Sequence, residues 1–368
     1  MTNLTAPPTG GMEGGGAYNQ HALVQSAGAI PAMKLLETAA GDVVLGADDG
    51  PIVLVDYGSS QGRNSLAPLR AAIDVLRLRA SSSRPILVFH EDLPLNDFNT
   101  LFAVLDGDPQ SYLRGRPNVF SSAIARSFYE PVLPPNSVHL GWSAYAAMWL
   151  SSVPRTIPGH FWVQRAPSEV LAEFEARAAA DWERFLALRA TELRAGGRLV
   201  VVVPGINDAG EYGFGPVLDD ANATLAELVE AGLIKAEERA RMVHGALLRS
   251  SRDLLSPFAR DRWFCGLSAQ HCDVYPVEDV AWRDYQRDGD ACALAARRAA
   301  FVRVTYGPTL AGALSPENDP ERRRAFLNAL EDGIARRQAE RPQTMNSFIA
   351  AIVLAKTDAP ELDAPEEF

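Results

Sequence analysis

The stretch that most constrains this chain is Pro51–Leu66, PIVLVDYGSSQGRNSL. Ile52, Val53, Leu54 and Val55 form a continuous apolar run, too short for a helix and rich in β-branched residues. This predicts a strand buried on both faces in a parallel sheet. The run ends in Asp56, and a glycine turn, Gly58-Ser59-Ser60-Gln61-Gly62, follows. Ser65 then reads as an N-cap for SLAPLRAAIDVLRL, in which Leu66, Leu69, Ile73 and Leu76 share one helical face. Strand, glycine turn and helix open a nucleotide-binding α/β unit, and glycine lets the backbone approach a ligand closely.

The turn is not G-x-G-x-x-G, and no Lys-Ser/Thr follows it, which disfavours dinucleotide and P-loop readings. An acidic residue before a wide glycine turn suits S-adenosylmethionine, which has no pyrophosphate to place on a helix N-terminus. Taken alone, the turn is equally compatible with a structural role. A second ligand contact follows the next strand. Ile86–Phe89 is another apolar run and ends in His90-Glu91-Asp92. A carboxylate at the end of a second strand accepts hydrogen bonds from both ribose hydroxyls.

The residues that follow carry a resemblance. EDLPLNDFNTLF resembles the NDLPxNDFNxLF stretch of the SABATH methyltransferases, which include plant salicylate, benzoate, jasmonate and caffeine-pathway enzymes. In the same order, DYGSSQGRNSL resembles that family's DLGCSSGPNTL, and SFYEPVLPPNSVHL its SFYGRLFPxNSLHF. SAYAAMWLSSVP resembles its SSYSLxWLSQVP, and GGRLVVVVPG its GGRMVLTxxG. The likeness covers roughly Met12 to Lys356.

The resemblance implies a site. For the cofactor it implies Asp56, Gly58, Ser59, Asn64, Asp92 and Leu93, with Ser127 and Phe128 near the adenine. Tyr18 borders the cofactor, and Gln25 touches both the methionine end of the cofactor and the substrate carboxylate. Tyr145 and Met148 line the substrate pocket, Val302 and Thr305 touch the substrate from the cap, and the Trp149 indole N–H meets the carboxylate. Two positions depart from the family pattern. Ala22 stands where a serine is usual, leaving one cofactor hydrogen bond to be replaced, for instance by Asn19 or His21. Trp142 stands where a histidine is usual, which alters the ring that fits.

The expected fold class is α/β, a Rossmann-like class I methyltransferase sheet of seven mostly parallel strands with an α-helical cap. By resemblance the last strand is antiparallel. The expected divisions are a mobile N-terminal lid over 1–16, a core of 17–205, 262–289 and 342–358, and a cap of 206–261 and 290–341. Residues 167–194 read as a long helix. Phe98, Leu101, Phe102 and Leu105 read as a core-facing helix stripe. Tyr145 and Trp149, four apart with Met148 adjacent, read as one helical face. Such a stripe is usually core, and only the resemblance turns it into a pocket wall.

Composition bounds the rest. At 368 residues and 47% hydrophobic, the chain can bury a large core. A net charge of -11 argues against nucleic-acid binding. The absence of a membrane-length apolar run points to a soluble protein with no membrane partner. Cys265, Cys272 and Cys292 are odd in number and lack metal spacing, which suggests buried thiols in a reducing cytosol and no metal site. Gly141-x-Ser143 and Gly266-x-Ser268 lack the second glycine of a hydrolase elbow.

The expectation that follows is a cytoplasmic enzyme, a homodimer by resemblance. It transfers methyl from S-adenosylmethionine to the carboxylate of a small aromatic or apolar acid, giving a methyl ester, with no general base. Two rivals stand beside it. One is an N-methyltransferase of a xanthine-like heterocycle, and the other is a non-catalytic cofactor-binding partner protein.

Overall fold

The computed structural model describes residues 23–47, 50–315 and 319–357, with side chains from Ala32 onward. The segment expected to form a lid, Tyr18, Ala22 and the side chain of Gln25 lie outside the described residues.

Five parallel strands build the sheet from its centre outward. They are β1 (Ile52–Tyr57), β2 (Ile86–Asp92), β3 (Val119–Ala125), β4 (Val138–Ala144) and β5 (Leu193–Ile206). Every residue of β1 is buried, as the apolar run predicts. Two-residue strands β6 (Arg249–Ser250) and β7 (Trp263–Phe264) precede β8 (Leu267–Val277) and β9 (Ser347–Lys356). Among the described residues the order is β3-β2-β1-β4-β5-β9-β8-β7, with β6 beside β5. The long strands number seven, and β9 runs antiparallel between β5 and β8. The chain leaves β1 toward β2 and β3, then returns to β4 on the other side. The crevice beyond the C-terminal ends of β1 and β4 is therefore a topological switch point, where α/β sheets bind ligands.

Side-chain alternation divides β1 between two cores. Ile52 and Leu54 pack with α1 (Leu23–Asp42), α2 (Leu66–Arg79) and α3 (Phe98–Gly107). Val53, Val55 and Tyr57 pack instead with Trp182, Phe185 and Leu186 of α4 (Ser168–Glu192). In α2 the stripe Leu66, Leu69, Ile73 and Leu76 is buried as expected. Ser65 does not cap this helix: a 3-10 turn over Arg63–Ser65 already winds the chain, so Ser65 has helical dihedrals and its side chain caps nothing. In α3, Leu101 and Leu105 are buried but Phe102 is exposed.

A third core forms the cap. It joins α5 (Gly215–Glu230), α9 (Ala291–Ala311) and α10 (Pro320–Glu340) with Phe161 and Trp162. Between α5 and α9 lie α6 (Ala236–Arg241), α7 (Ser251–Leu255) and α8 (Val280–Asp288). Leu254 and Phe258, expected in the cap, pack on the sheet beside α4 instead. Cys265 and Cys292, expected as buried thiols, are exposed, and Cys272 is half-buried. No helix among the described residues is long and apolar enough to cross a membrane.

Candidate functional site

The site begins where β1 stops. Gly58 has φ +80, and a Cβ placed there would sit 2.1 Å from the Cβ of Ala146. Its N–H and that of Ser59 both donate to the carbonyl of Glu91 at 2.9 Å, which ties the turn to the end of β2. Asp92 is held from two sides: Ser60 N–H donates to Oδ2 at 2.7 Å and Leu93 N–H to Oδ1 at 2.8 Å. The carboxylate is thereby fixed in orientation, with lone pairs left over for a ligand. Burial pushes its pKa up to about 6, against the pull of those two N–H donors.

Gly58, Asn64, Leu93, Ser127 and Phe128 are all half-buried around this crevice. The hydroxyls of Ser59 and Ser60 are enclosed there with no partner among the described residues. Enclosed hydroxyls without partners are costly and suit a polar ligand that brings its own groups. The residues present therefore fit a bound S-adenosylmethionine. Ser127 follows β3 in the loop that leads into a turn. The Phe128 ring lies edge-on to Tyr129 at 4.7 Å and to Phe185 at 5.7 Å.

Asp56 departs from its expected role. It is 1% exposed, and its Oδ2 pairs with His90 Nδ1 at 3.0 Å, while His90 Nε2 meets the Tyr112 hydroxyl at 2.7 Å. Its charge is spent inside the protein, supporting the turn from below. The sequence reading also passed over a buried cluster on the opposite face. Arg189, fully enclosed, pairs with Glu192 at 2.7 Å and donates to the carbonyls of Phe128 and Glu130. Glu192 in turn accepts from the Tyr57 hydroxyl at 2.9 Å. These bonds hold the Ser127–Phe128 loop in place. In the sequence Arg189 and Glu192 look like ordinary solvated helix charges.

Glu91 is the other enclosed carboxyl. Its Oε2 accepts from Gly58 N–H at 3.2 Å and its Oε1 has no partner among the described residues. Burial, reinforced by the Asp92 charge, holds its pKa well above 4.5, although Arg189 and the Gly58 N–H pull it down. A carboxyl that holds its proton more tightly folded than unfolded contributes least to stability at high pH. Its contribution is fully present below about 4.5 and declines as pH rises toward the raised folded value. Glu91→Gln should therefore melt several degrees above wild type at about pH 8 and converge with it near pH 4. Equal melting points at both pH values in thermal scans would contradict this.

A second space lies under the cap. About 20 Å³ of it is free in this conformation, and about 410 Å³ counting the space that opens to solvent. Tyr145 and Met148 line it, but not from a helix. β4 pairs with β1 and β5 through Trp142, and Tyr145 has φ +57, a conformation that cannot propagate a right-handed helix. The chain turns there, so Tyr145 and Met148 face the cavity while Trp149 bridges to Ala246. Trp149 does not line the cavity; its ring stands edge-on to His244, which does, with centroids 4.6 Å apart. Trp142 is 1% exposed inside the sheet core, away from the cavity lining. Thr305 lines the cavity. Val302 does not: it is buried in the cap core, and Phe301, four residues before Thr305 on the same helical face, takes its place.

His244, Leu248, Phe214 and Tyr306 complete much of the wall and were not anticipated. Residues 242–248 lie in an extended segment within a region read as mostly helical. The apolar run MVHGALL interrupted by one histidine was the available signal. Ser143, from the rejected hydrolase pattern, donates its hydroxyl to the Tyr57 carbonyl at 3.0 Å and supports β1.

The profile of a family described as SAM-dependent carboxyl methyltransferase matches residues 7–344. The chain belongs to that family. It is 33% identical over 227 residues to Methyltransferase FUS9 of Gibberella fujikuroi, covering 61% of this chain and 60% of that protein. It is 30% identical to benzoic acid/salicylic acid carboxyl methyltransferase 3 of Petunia hybrida, over 62% of this chain and 68% of that protein. Gibberellic acid methyltransferase 2 of Arabidopsis thaliana is 24% identical, over 80% and 81% of the two chains. The structure of loganic acid methyltransferase with SAH superposes with a TM-score of 0.77 at 21% identity, covering 97% of this chain and all of that one. At that identity the superposition shows the shared fold. The sequence match spans about 60% of the length of the fungal relative.

Proposed function

We propose that this carboxyl methyltransferase family member moves a methyl group from S-adenosylmethionine onto the carboxylate of a small apolar or aromatic acid, yielding a methyl ester. One observation carries the reading. Gly58, in the cofactor crevice, abuts Ala146, which lies in the same turn as Tyr145 and Met148 of the apolar cavity. Crevice and cavity are thus back to back across one turn.

Asp92, the Gly58–Ser60 turn, Ser127 and Phe128 would hold the cofactor, and S-adenosylmethionine supplies an electrophilic methyl on a cationic sulfur when bound. The acid has a pKa of about 4 and arrives as an anion, so no residue has to remove a proton. The work left to the protein is placement, which contributes roughly 7–11 kcal/mol in well-oriented cases. The Trp149 indole N–H makes no hydrogen bond to any described residue; Trp149 stands beside His244 rather than in the cavity wall, and the proposal is that on binding of the acid its N–H, with Gln25, reaches one carboxylate oxygen. Among the described residues no Lys or Arg lines the cavity to pair with the carboxylate and weaken it as a nucleophile. Homodimer assembly and a cytosolic setting complete the proposal.

The hydroxyls of Tyr145, Thr305 and Tyr306 and the His244 imidazole favour a second reading, a xanthine-like heterocycle methylated on nitrogen. A panel of benzoate-like acids and xanthines with radiolabelled methyl donor separates the two. Acids should be turned over, and Trp149→Phe should lower acid turnover about tenfold or more while leaving cofactor affinity near wild type. Turnover of xanthines alone would overturn the carboxylate reading. Cofactor binding with no turnover of either class would favour the non-catalytic partner protein.

A further inference from the structure

His244 is the group the mechanism above leaves without a task. It is 2% exposed, lines the cavity, and sits between two aromatic rings, Trp149 at 4.6 Å and Tyr306 at 4.3 Å. Its Nδ1 is enclosed with no hydrogen-bond partner among the described residues. Leaving a buried imidazole unpaired is costly, so such a group inside a ligand cavity is built for a partner the ligand brings.

We propose that His244 is a specificity residue that hydrogen-bonds a hydroxyl on the body of the acid, so that the preferred substrates are hydroxylated acids. The inference rests on the carboxylate reading above and names the substrate class within it.

The chemistry of the ring selects a hydroxyl over the carboxylate as its partner. Burial alone pushes its pKa down to about 3, and among the described residues no charged side chain lines the cavity. The imidazole is therefore neutral, with one donor and one acceptor nitrogen, and a hydroxyl can serve either. A carboxylate set against it would favour the imidazolium, and the resulting ion pair would blunt the nucleophile. Nothing around the ring is arranged to hold that charge: its neighbours are Trp149 and Tyr306, and the wall beyond is Ala246, Leu247 and Leu248. An unhydroxylated acid of the same shape leaves the imidazole unpaired and loses the difference.

The test compares benzoate with the three hydroxybenzoate isomers, using the full chain and S-adenosylmethionine, in wild type, His244→Phe and His244→Asn. Wild type should prefer at least one hydroxylated isomer over benzoate by about tenfold in kcat/KM. In His244→Phe that preference should collapse to near unity, mainly through KM, while S-adenosylhomocysteine affinity stays close to wild type. His244→Asn, which keeps hydrogen-bonding groups, should restore part of the preference. Retained binding of S-adenosylhomocysteine confirms that each variant is folded. The proposal is overturned if wild type shows no preference or if the preference survives in His244→Phe. It is equally overturned if all four acids lose turnover alike, which would assign the imidazole to the carboxylate or to packing. Wild type that methylates no acid at all sinks the carboxylate reading first, and this inference with it.

Discussion

Replacing Asp92 by alanine should lower the affinity for S-adenosylhomocysteine about ten- to a hundredfold. Hydrogen bonds to a charged group are worth roughly 1.5–3 kcal/mol, and about 1.4 kcal/mol is a factor of ten. The carboxylate is pre-oriented by Ser60 and Leu93 N–H groups, so a ligand meets it without further ordering. Asp92→Asn keeps the shape and should weaken binding in the same direction. The pKa near 6 adds a signature. A ligand that prefers the ionised carboxylate binds less well once the carboxyl takes its proton, so wild-type affinity should fall as pH drops through about 6. Asp92→Asn should lack that step. Calorimetry that returned wild-type affinity and pH dependence for both variants would remove Asp92 from the cofactor site.

Gly58→Ala should be the most damaging single-methyl change in the chain. Positive φ costs a residue with a Cβ roughly 1–2 kcal/mol. The new methyl would also lie 2.1 Å from Ala146 Cβ, far inside the 3.5–4.0 Å at which carbons rest. Overpacking of that kind costs about 1–3 kcal/mol more. Relief requires moving either the glycine turn or the Tyr145–Met148 turn, so both the crevice and the cavity should suffer. The expected result is a melting point several degrees lower, with loss of both S-adenosylhomocysteine binding and acid turnover. An unchanged melting point with wild-type binding would show that the two turns are not packed as described.

What was legible in the sequence follows from how local each signal is. β1, β2 and α2 could be read directly, because continuous apolar runs and a Leu66–Leu69–Ile73–Leu76 stripe have one interpretation each. The carboxylate at the end of β2 could be read because the motif around it is contiguous. Tyr145, Met148 and Trp149 show a helix-like spacing by coincidence. Pairing of β4 with β1 and β5, a long-range contact, decides that segment. His244 was missed for a related reason: its extended backbone is set by bridges to Trp162, and its proximity to Tyr306 joins residues far apart in the chain. Val302 was an error of one residue, about 100° around α9, which moves a side chain from cavity to cap core. Asp56 ends the apolar run but β1 continues through Tyr57, and its partner, His90, lies one strand away.

The central claim is that an already ionised carboxylate attacks the methyl group without help from an enzyme base. Single-turnover methyl transfer at saturating cofactor and acid, followed from about pH 6 to about pH 9, tests this most directly. The acid's pKa near 4 lies well below that range. The account predicts a rate constant that is level across it, with the methyl ester as the sole product. A rate that climbs with unit slope through a pKa within the range would contradict the account, because it would mean that a proton must leave before the methyl group can move.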